Sequence, residues 1–226
     1  MFFKIKRRVK FNEKLLGNEY ILQQQSFIDG VYNLSSINEV FDLMYKKLGL
    51  IKFEPRSLNF TSFCRIIIGQ QLSSKAAETI FNRFTSFFSE ELSPHTLLNS
   101  HDRDMRSLGI SRAKTRYIKN LGEKLKNNPC FLTDLKILPS EKIYKILIGI
   151  DGVGPWTANI IQLFYLGNLD IFPYGDRSLE KVYSKLYKTS LNSSNPISYE
   201  HLKWASPHRG ILAVYLWKYL DSGLVK

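Results

Sequence analysis

The chain has 226 residues, with 32 Lys and Arg against 20 Asp and Glu, a net charge of +12 at pH 7. That length can bury a real core, as one domain or two small lobes, and the cation excess favours nucleic acid or another anionic surface as partner. Only two cysteines are present, Cys64 and Cys130, which excludes a four-cysteine iron–sulfur cluster, and no window approaches the length of a membrane-spanning helix.

Strand-like alternation occurs only before residue 35, around Tyr20–Leu22 and Val31–Leu34. From Ser36 onward a helical period takes over. Ser36-Ile37-Asn38-Glu39 reads as a capping box ahead of the apolar stripe Val40, Phe41, Met44, Tyr45 and Leu48, and Gly49 stops that helix. A second helix begins near Asn59, with Phe60, Phe63, Ile66 and Ile67 inward. Ser73 or Ser74 caps a third, carrying Ala76, Ala77, Ile80, Phe81 and Phe84. Ser111 caps another through Leu125, and further helices are predicted over Glu141–Ile148, Pro155–Leu166, Arg177–Tyr187 and Gly210–Leu220. The predicted class is all-α, without repeats or low-complexity tracts.

The stretch Leu147 to Asp176 carries the most chemistry. An apolar run ends at Ile150, the turn Asp151-Gly152-Val153-Gly154 follows, and Pro155 stands at a first helical position. Glycine permits positive φ and close approach of a partner to the backbone. The N–H groups at the following helix start, with the helix dipole behind them, make an anion site. A short helix later, Pro173-Tyr174-Gly175 leads into Asp176 and a new helix at Arg177. On position alone, Asp176 reads as the N-cap of that helix, and Asp170 reads as a turn residue that would compete with it if the loop ran differently.

Gly149 to Ala158, with Asp176 beyond it, resembles the helix-hairpin-helix of the DNA glycosylase superfamily, and G-V-G-P-W-T-A is most similar to its alkylation-repair branch, the 3-methyladenine DNA glycosylase II type. The likeness extends over roughly residues 50 to 220. F-C-R-I-I-I-G-Q-Q-L-S-S-K-A-A at 63–77 resembles the family's first core segment, L-G-I-S-R-A-K-T-R-Y-I at 108–118 a helix-start phosphate contact, and W-A-S-P-H-R-G-I-L-A-V-Y-L-W at 204–217 the closing helix. The resemblance implies a compact two-lobed helix-hairpin-helix fold with the active-site cleft between lobes. In this reading residues 1–50 pack on the core, residues 51–226 form the glycosylase domain, and the hairpin occupies 143–166.

The resemblance also implies roles. Asp176 falls at the catalytic aspartate, where a carboxylate stabilises the cation-like sugar and orients the attacking water. Trp156 stands where relatives that nick the backbone carry a Schiff-base lysine, so the implied enzyme is monofunctional. Trp156 and Tyr174 are the implied base pocket, stacking on an electron-poor alkylated purine. Gln71 occupies the position of the side chain that plugs the emptied stack. Phosphate contacts fall to Gly152, Gly154, Thr157, Arg112 and Lys114. A monovalent cation held by the carbonyls of Ile148, Ile150 and Val153 is implied as well, and no side-chain metal site or other cofactor. The proline usual before the hairpin glycine is Asp151 here, which puts a negative charge beside the phosphate site.

The implied partner is double-stranded DNA with a damaged base, from which 3-methyladenine or 7-methylguanine is excised. Two other readings stay open: a glycosylase for oxidised or deaminated bases, and a non-catalytic DNA-binding module. With no apolar stretch of signal-peptide length in the first residues, the expectation is a soluble monomer of the cytoplasm or nucleoid.

Overall fold

A computed structural model describes residues 17–89, 91–191 and 195–224, with side chains from residue 23 onward. The helices are α1 (Gly17–Ile37), α2 (Glu39–Leu48), α3 (Phe60–Gly69), α4 (Ser74–Phe87), α5 (Pro94–Leu98), α6 (Asp102–Ser107), α7 (Arg112–Asn127), α8 (Phe131–Asp134), α9 (Ser140–Ile148), α10 (Pro155–Tyr165), α11 (Arg177–Tyr187), α12 (Tyr199–Leu202) and α13 (Arg209–Asp221). Among the described residues there is no strand, and the class is all-α as expected.

The strand expectation before residue 35 is overturned, because Tyr20–Leu22 and Val31–Leu34 both lie inside α1. Phe27, Val31 and Leu34 are fully buried, and their spacing of four and three is helical; a four-residue window was too short to separate the two periods. The expected cap at Ser36 is also corrected. Ser36 sits in the last turn of α1, its hydroxyl donating to Asn33 O at 2.8 Å. Asn38 is the N-cap of α2, accepting from Phe41 N at 2.9 Å. Asn59, Ser73 and Ser111 cap α3, α4 and α7, each side chain accepting from the third residue of its helix. Four helices of six residues or fewer, α5, α6, α8 and α12, were not anticipated, since one turn of helix shows no period.

The described residues divide into two compact units, one from Ser57 to Ala158 and one formed by those up to Arg56 together with those from Asn159. In the first, α3 packs on α4 and α7, and α5 packs on α7. Phe63, Cys64, Ile67, Leu97, Ile118, Leu121 and Leu147 are buried there, each of the Phe, Ile and Leu side chains contributing about 1.5–3 kcal/mol by leaving water. Burial also pushes the Cys64 thiol above its ordinary range, as befits an inert core residue.

In the second unit, α13 packs against α1, α2 and α11. Ile211, Leu212, Ala213, Tyr215 and Leu216 are all fully buried, and a helix apolar on every side belongs at the centre of its unit. Close approach is paid for with glycine: a Cβ on Gly30 of α1 would lie 2.3 Å from Ile211 Cδ1, and one on Gly210 2.8 Å from Leu169 O. Residues 23–50 share this unit's core through Phe27, Val31, Leu34, Phe41 and Met44; the expectation for residues 1–16 lies outside the described residues. No helix among the described residues is long and apolar enough to cross a membrane.

Candidate functional site

In the first unit, α9 ends at Ile148 with Gly149 as its C-cap, and Val153 N donates to Ile150 O at 3.0 Å to close the turn Ile150–Val153. The third residue of that turn, Gly152, has φ +80°, the position where this geometry requires glycine. The Tyr117 ring lies against it: a Cβ on Gly152 would come 2.3 Å from Tyr117 Cδ2, whereas one on Gly154 would meet nothing within 4 Å. Among the described residues the amides of Gly152 and Gly154 have no protein acceptor, so two donors remain at the start of α10 for an external anion. Asp151 is exposed, and its Oδ2 accepts from Asn120 Nδ2 at 2.6 Å, which ties the carboxylate to α7.

A second turn is strutted against the hairpin. Gln70 Nε2 donates to Gly152 O at 2.8 Å and to Thr157 Oγ1 at 3.3 Å. Lys114 Nζ donates to Ile68 O at 2.9 Å and Gln70 O at 2.7 Å, and burial lowers its pKa. The next residue, Gln71, is exposed with φ +57°, a conformation uncommon outside glycine and one that marks candidate functional turns. Gln71, Lys114, Tyr117, Gly152 and Gly154 line one open groove of about 530 Å³. Thr157 is buried, its hydroxyl serving the Gln70 strut; Arg112 is exposed at the first position of α7. Trp156 is half-buried at the second position of α10.

In the second unit, Asp176 N donates to Pro173 O at 3.2 Å, Gly175 has φ +81°, and this tight turn delivers Asp176 to the start of α11. Asp176 Oδ1 accepts from Ser178 N at 2.9 Å, Leu179 N at 3.1 Å and the Ser178 hydroxyl, so it is the N-cap anticipated from position. Asn159 Nδ2 donates to Phe172 O at 3.2 Å and anchors the loop from below. Tyr174 is half-buried with its ring 5.2 Å from that of Phe172. Burial pushes its phenol up, against the lowering influence of nearby Arg209.

Asp170, the other carboxylate of this loop, is committed elsewhere. Arg209 Nε and Nη2 donate to its two oxygens at 2.9 and 2.8 Å, and Ser206 Oγ donates at 3.1 Å. Burial works to raise the Asp170 pKa, but the Arg209 hydrogen bonds outweigh it and hold the carboxyl below its ordinary value of 3.8. A depressed folded-state pKa stabilises the fold above the unfolded value and ceases to do so as pH falls through the folded one. Asp170→Asn is therefore expected to cost about 1–2 kcal/mol at pH 7, discounted from a fully buried pair because both side chains keep some exposure. Urea unfolding at pH 7 and pH 3 checks it: the gap between wild type and variant should close in acid.

Sequence reading missed Gln70, Tyr117 and Arg209 as members of these arrangements. Only the adjacency of the two glutamines was visible, and nothing in it indicates a bond to a residue 82 positions away. No group of three or more His, Cys, Asp or Glu that could hold a metal occurs among the described residues.

Comparison with known proteins places the chain. It is 29% identical over 195 residues to the Schizosaccharomyces pombe protein named DNA-3-methyladenine glycosylase 1, covering 82% of this chain and 84% of that one. It is 26% identical over 169 residues to Bacillus subtilis YfjP, covering 72% of this chain and 59% of the relative's length. The solved structure of S. pombe 3-methyladenine DNA glycosylase Mag1 in complex with abasic DNA superposes with a TM-score of 0.73 at 25% identity, covering 85% of this chain and 97% of that one. Residues 64–207 match the model of the HhH-GPD superfamily base excision DNA repair proteins. That span holds the strutted turn, the hairpin and Asp176, and the chain belongs to the HhH-GPD superfamily.

Proposed function

We propose that this protein is a monofunctional DNA glycosylase that removes alkylated purines, 3-methyladenine and 7-methylguanine among them, from double-stranded DNA. The observation that carries the reading is Asp176, a carboxylate held by helix-start amides in a chain of a base-excision family. The names of the relatives, S. pombe DNA-3-methyladenine glycosylase 1 and Mag1 bound to abasic DNA, support the alkylated-base and DNA assignments.

In the proposed reaction the damaged nucleotide is flipped from the stack. Its methylated purine is already cationic and leaves neutral, taking the electrons of the N-glycosidic bond. Asp176 stabilises the positive sugar left behind and orients the water that adds to C1′. The half-buried rings of Trp156 and of Tyr174 are each assigned to stack on the electron-poor base. Gln71, exposed at its turn, is assigned to fill the vacated stack. Phosphate is assigned to the amides of Gly152 and Gly154 with the remaining donor of Lys114 beside them, and to Arg112 at the start of α7. The carbonyls of Ile148, Ile150 and Val153 are neutral hard-oxygen donors, the chemistry an alkali cation takes; such an ion would add positive charge next to the phosphate. Monofunctionality rests on Trp156, since an indole has no amine with which to attack C1′.

The test is release of free base from DNA treated with a methylating agent, combined with borohydride trapping on lesion DNA. Free 3-methyladenine without a trapped covalent adduct is the expected result. A trapped adduct refutes the monofunctional assignment, and salt-sensitive binding without released base overturns the alkylated-purine assignment in favour of another lesion first and a non-catalytic module second.

A further inference from the structure

Beyond the hairpin, the first unit carries a second groove, between α6 and α7, of about 840 Å³ and lined by Arg103, Arg106, Arg112, Arg116, Lys119 and Asn120 among others. Five cations face it. Lys119 is neutralised by Asp102 at 2.6 Å, and Arg103 is loosely engaged by Asp104 at 3.8 Å. Among the described residues no carboxylate lies within ion-pair distance of Arg106, Arg112 or Arg116. All three are exposed. Exposed guanidinium groups gathered in one groove raise the local positive potential and favour an anionic partner there.

The placement of the cluster says which anion. Arg112, Arg116 and Lys119 follow one another at i, i+4 and i+7 along α7, a single stripe climbing about 10 Å at 1.5 Å per residue. The stripe is longer than one phosphate group, which suits successive phosphates along one strand of a duplex. The adjoining arc of the same helix, Lys114 and Tyr117, faces the hairpin groove. Asn120 joins the two: it lines the arginine groove and donates to Asp151 of the hairpin turn. That bond also draws the turn's one negative charge against α7.

We propose that the α6–α7 groove is a second backbone site for the bound duplex, holding a run of phosphates distinct from the one at the hairpin amides. This rests on the DNA reading given above. The site takes sugar–phosphate and reads no base, because guanidinium groups on phosphate position a duplex without specifying its sequence.

The experiment compares wild type with Arg103→Gln/Arg106→Gln, two exposed changes on α6 away from the hairpin, on a long lesion-bearing duplex. The slope of log affinity against log salt is measured alongside a hydroxyl-radical footprint, with the thermal midpoint as a check that the fold is intact. The slope should become shallower by roughly 2, since each lost phosphate contact removes about 0.9. Backbone protection should disappear at positions away from the lesion and persist beside it. An unchanged slope, or protection lost only at the lesion, overturns the second site while leaving the glycosylase reading in place. A wild type whose DNA binding is weak and indifferent to salt overturns both.

Discussion

Asp176→Asn is expected to lower single-turnover base excision by about 10²–10³-fold, the usual consequence of removing one group that stabilises transition-state charge, while leaving the fold and DNA binding intact. The substitution suits the question because it separates the observed cap from the proposed catalytic role of Asp176. As an N-cap its Oδ1 accepts from Ser178 N at 2.9 Å and Leu179 N at 3.1 Å, and asparagine presents an oxygen of the same reach. Asparagine and aspartate cap helices almost equally well, so the change in stability should stay within about 0.5 kcal/mol. What asparagine cannot supply is the negative charge beside the sugar. Asp176→Ala removes cap and charge together and should cost about 1 kcal/mol as well. Excision of 7-methylguanine under single turnover, read beside thermal melting of both variants, separates the roles. Near-wild-type excision by the asparagine variant would reduce Asp176 to a helix cap and end the catalytic assignment.

Much of this arrangement was legible from local chemistry. The hairpin is written in short range: Gly152 at the turn position that needs positive φ, Pro155 opening α10, and caps at Asn59, Ser73 and Ser111, whose hydrogen bonds span three residues. Asp176 was legible for the same reason, since a carboxylate two residues before a free amide caps whatever else it does. The struts were not. Gln70 reaches Gly152 across 82 positions and Lys114 reaches Ile68 across 46, and long polar side chains carry no sequence mark of a tertiary partner. The first helix failed for a different reason. Its buried residues Phe27, Val31 and Leu34 are interrupted by Ile28 and Tyr32, so a window of a few residues reads as a short apolar strand, and the helical period emerges only across two turns. Asp170 looked like an ordinary turn residue because its partner Arg209 lies 39 positions away.

The two hairpin glycines should respond to the same substitution in opposite ways. Gly152→Ala places a methyl carbon 2.3 Å from Tyr117 Cδ2 and 2.8 Å from its Cγ, at a φ of +80°. The near edge of the ring belongs to its attachment to α7, so relief requires the turn or the helix to shift. Strained backbone at about 1–2 kcal/mol and overpacking at about 1–3 kcal/mol add to roughly 2–5 kcal/mol of lost stability. For a chain of this size that is a fall in thermal midpoint of about 4–20 °C. Gly154→Ala meets nothing within 4 Å and its φ is not positive, so melting should be unchanged to within about 0.5 kcal/mol. In the proposed site its methyl group would instead occupy the space through which a phosphate approaches the amides. Loss of one charge-assisted hydrogen bond, about 1.5–3 kcal/mol, should weaken binding to duplex DNA by about 10–100-fold. Melting curves and titrations of the two variants on one duplex check both halves. If Gly154→Ala binds DNA like wild type, the phosphate does not sit on those amides, and the α6–α7 arginines would have to hold the duplex without them.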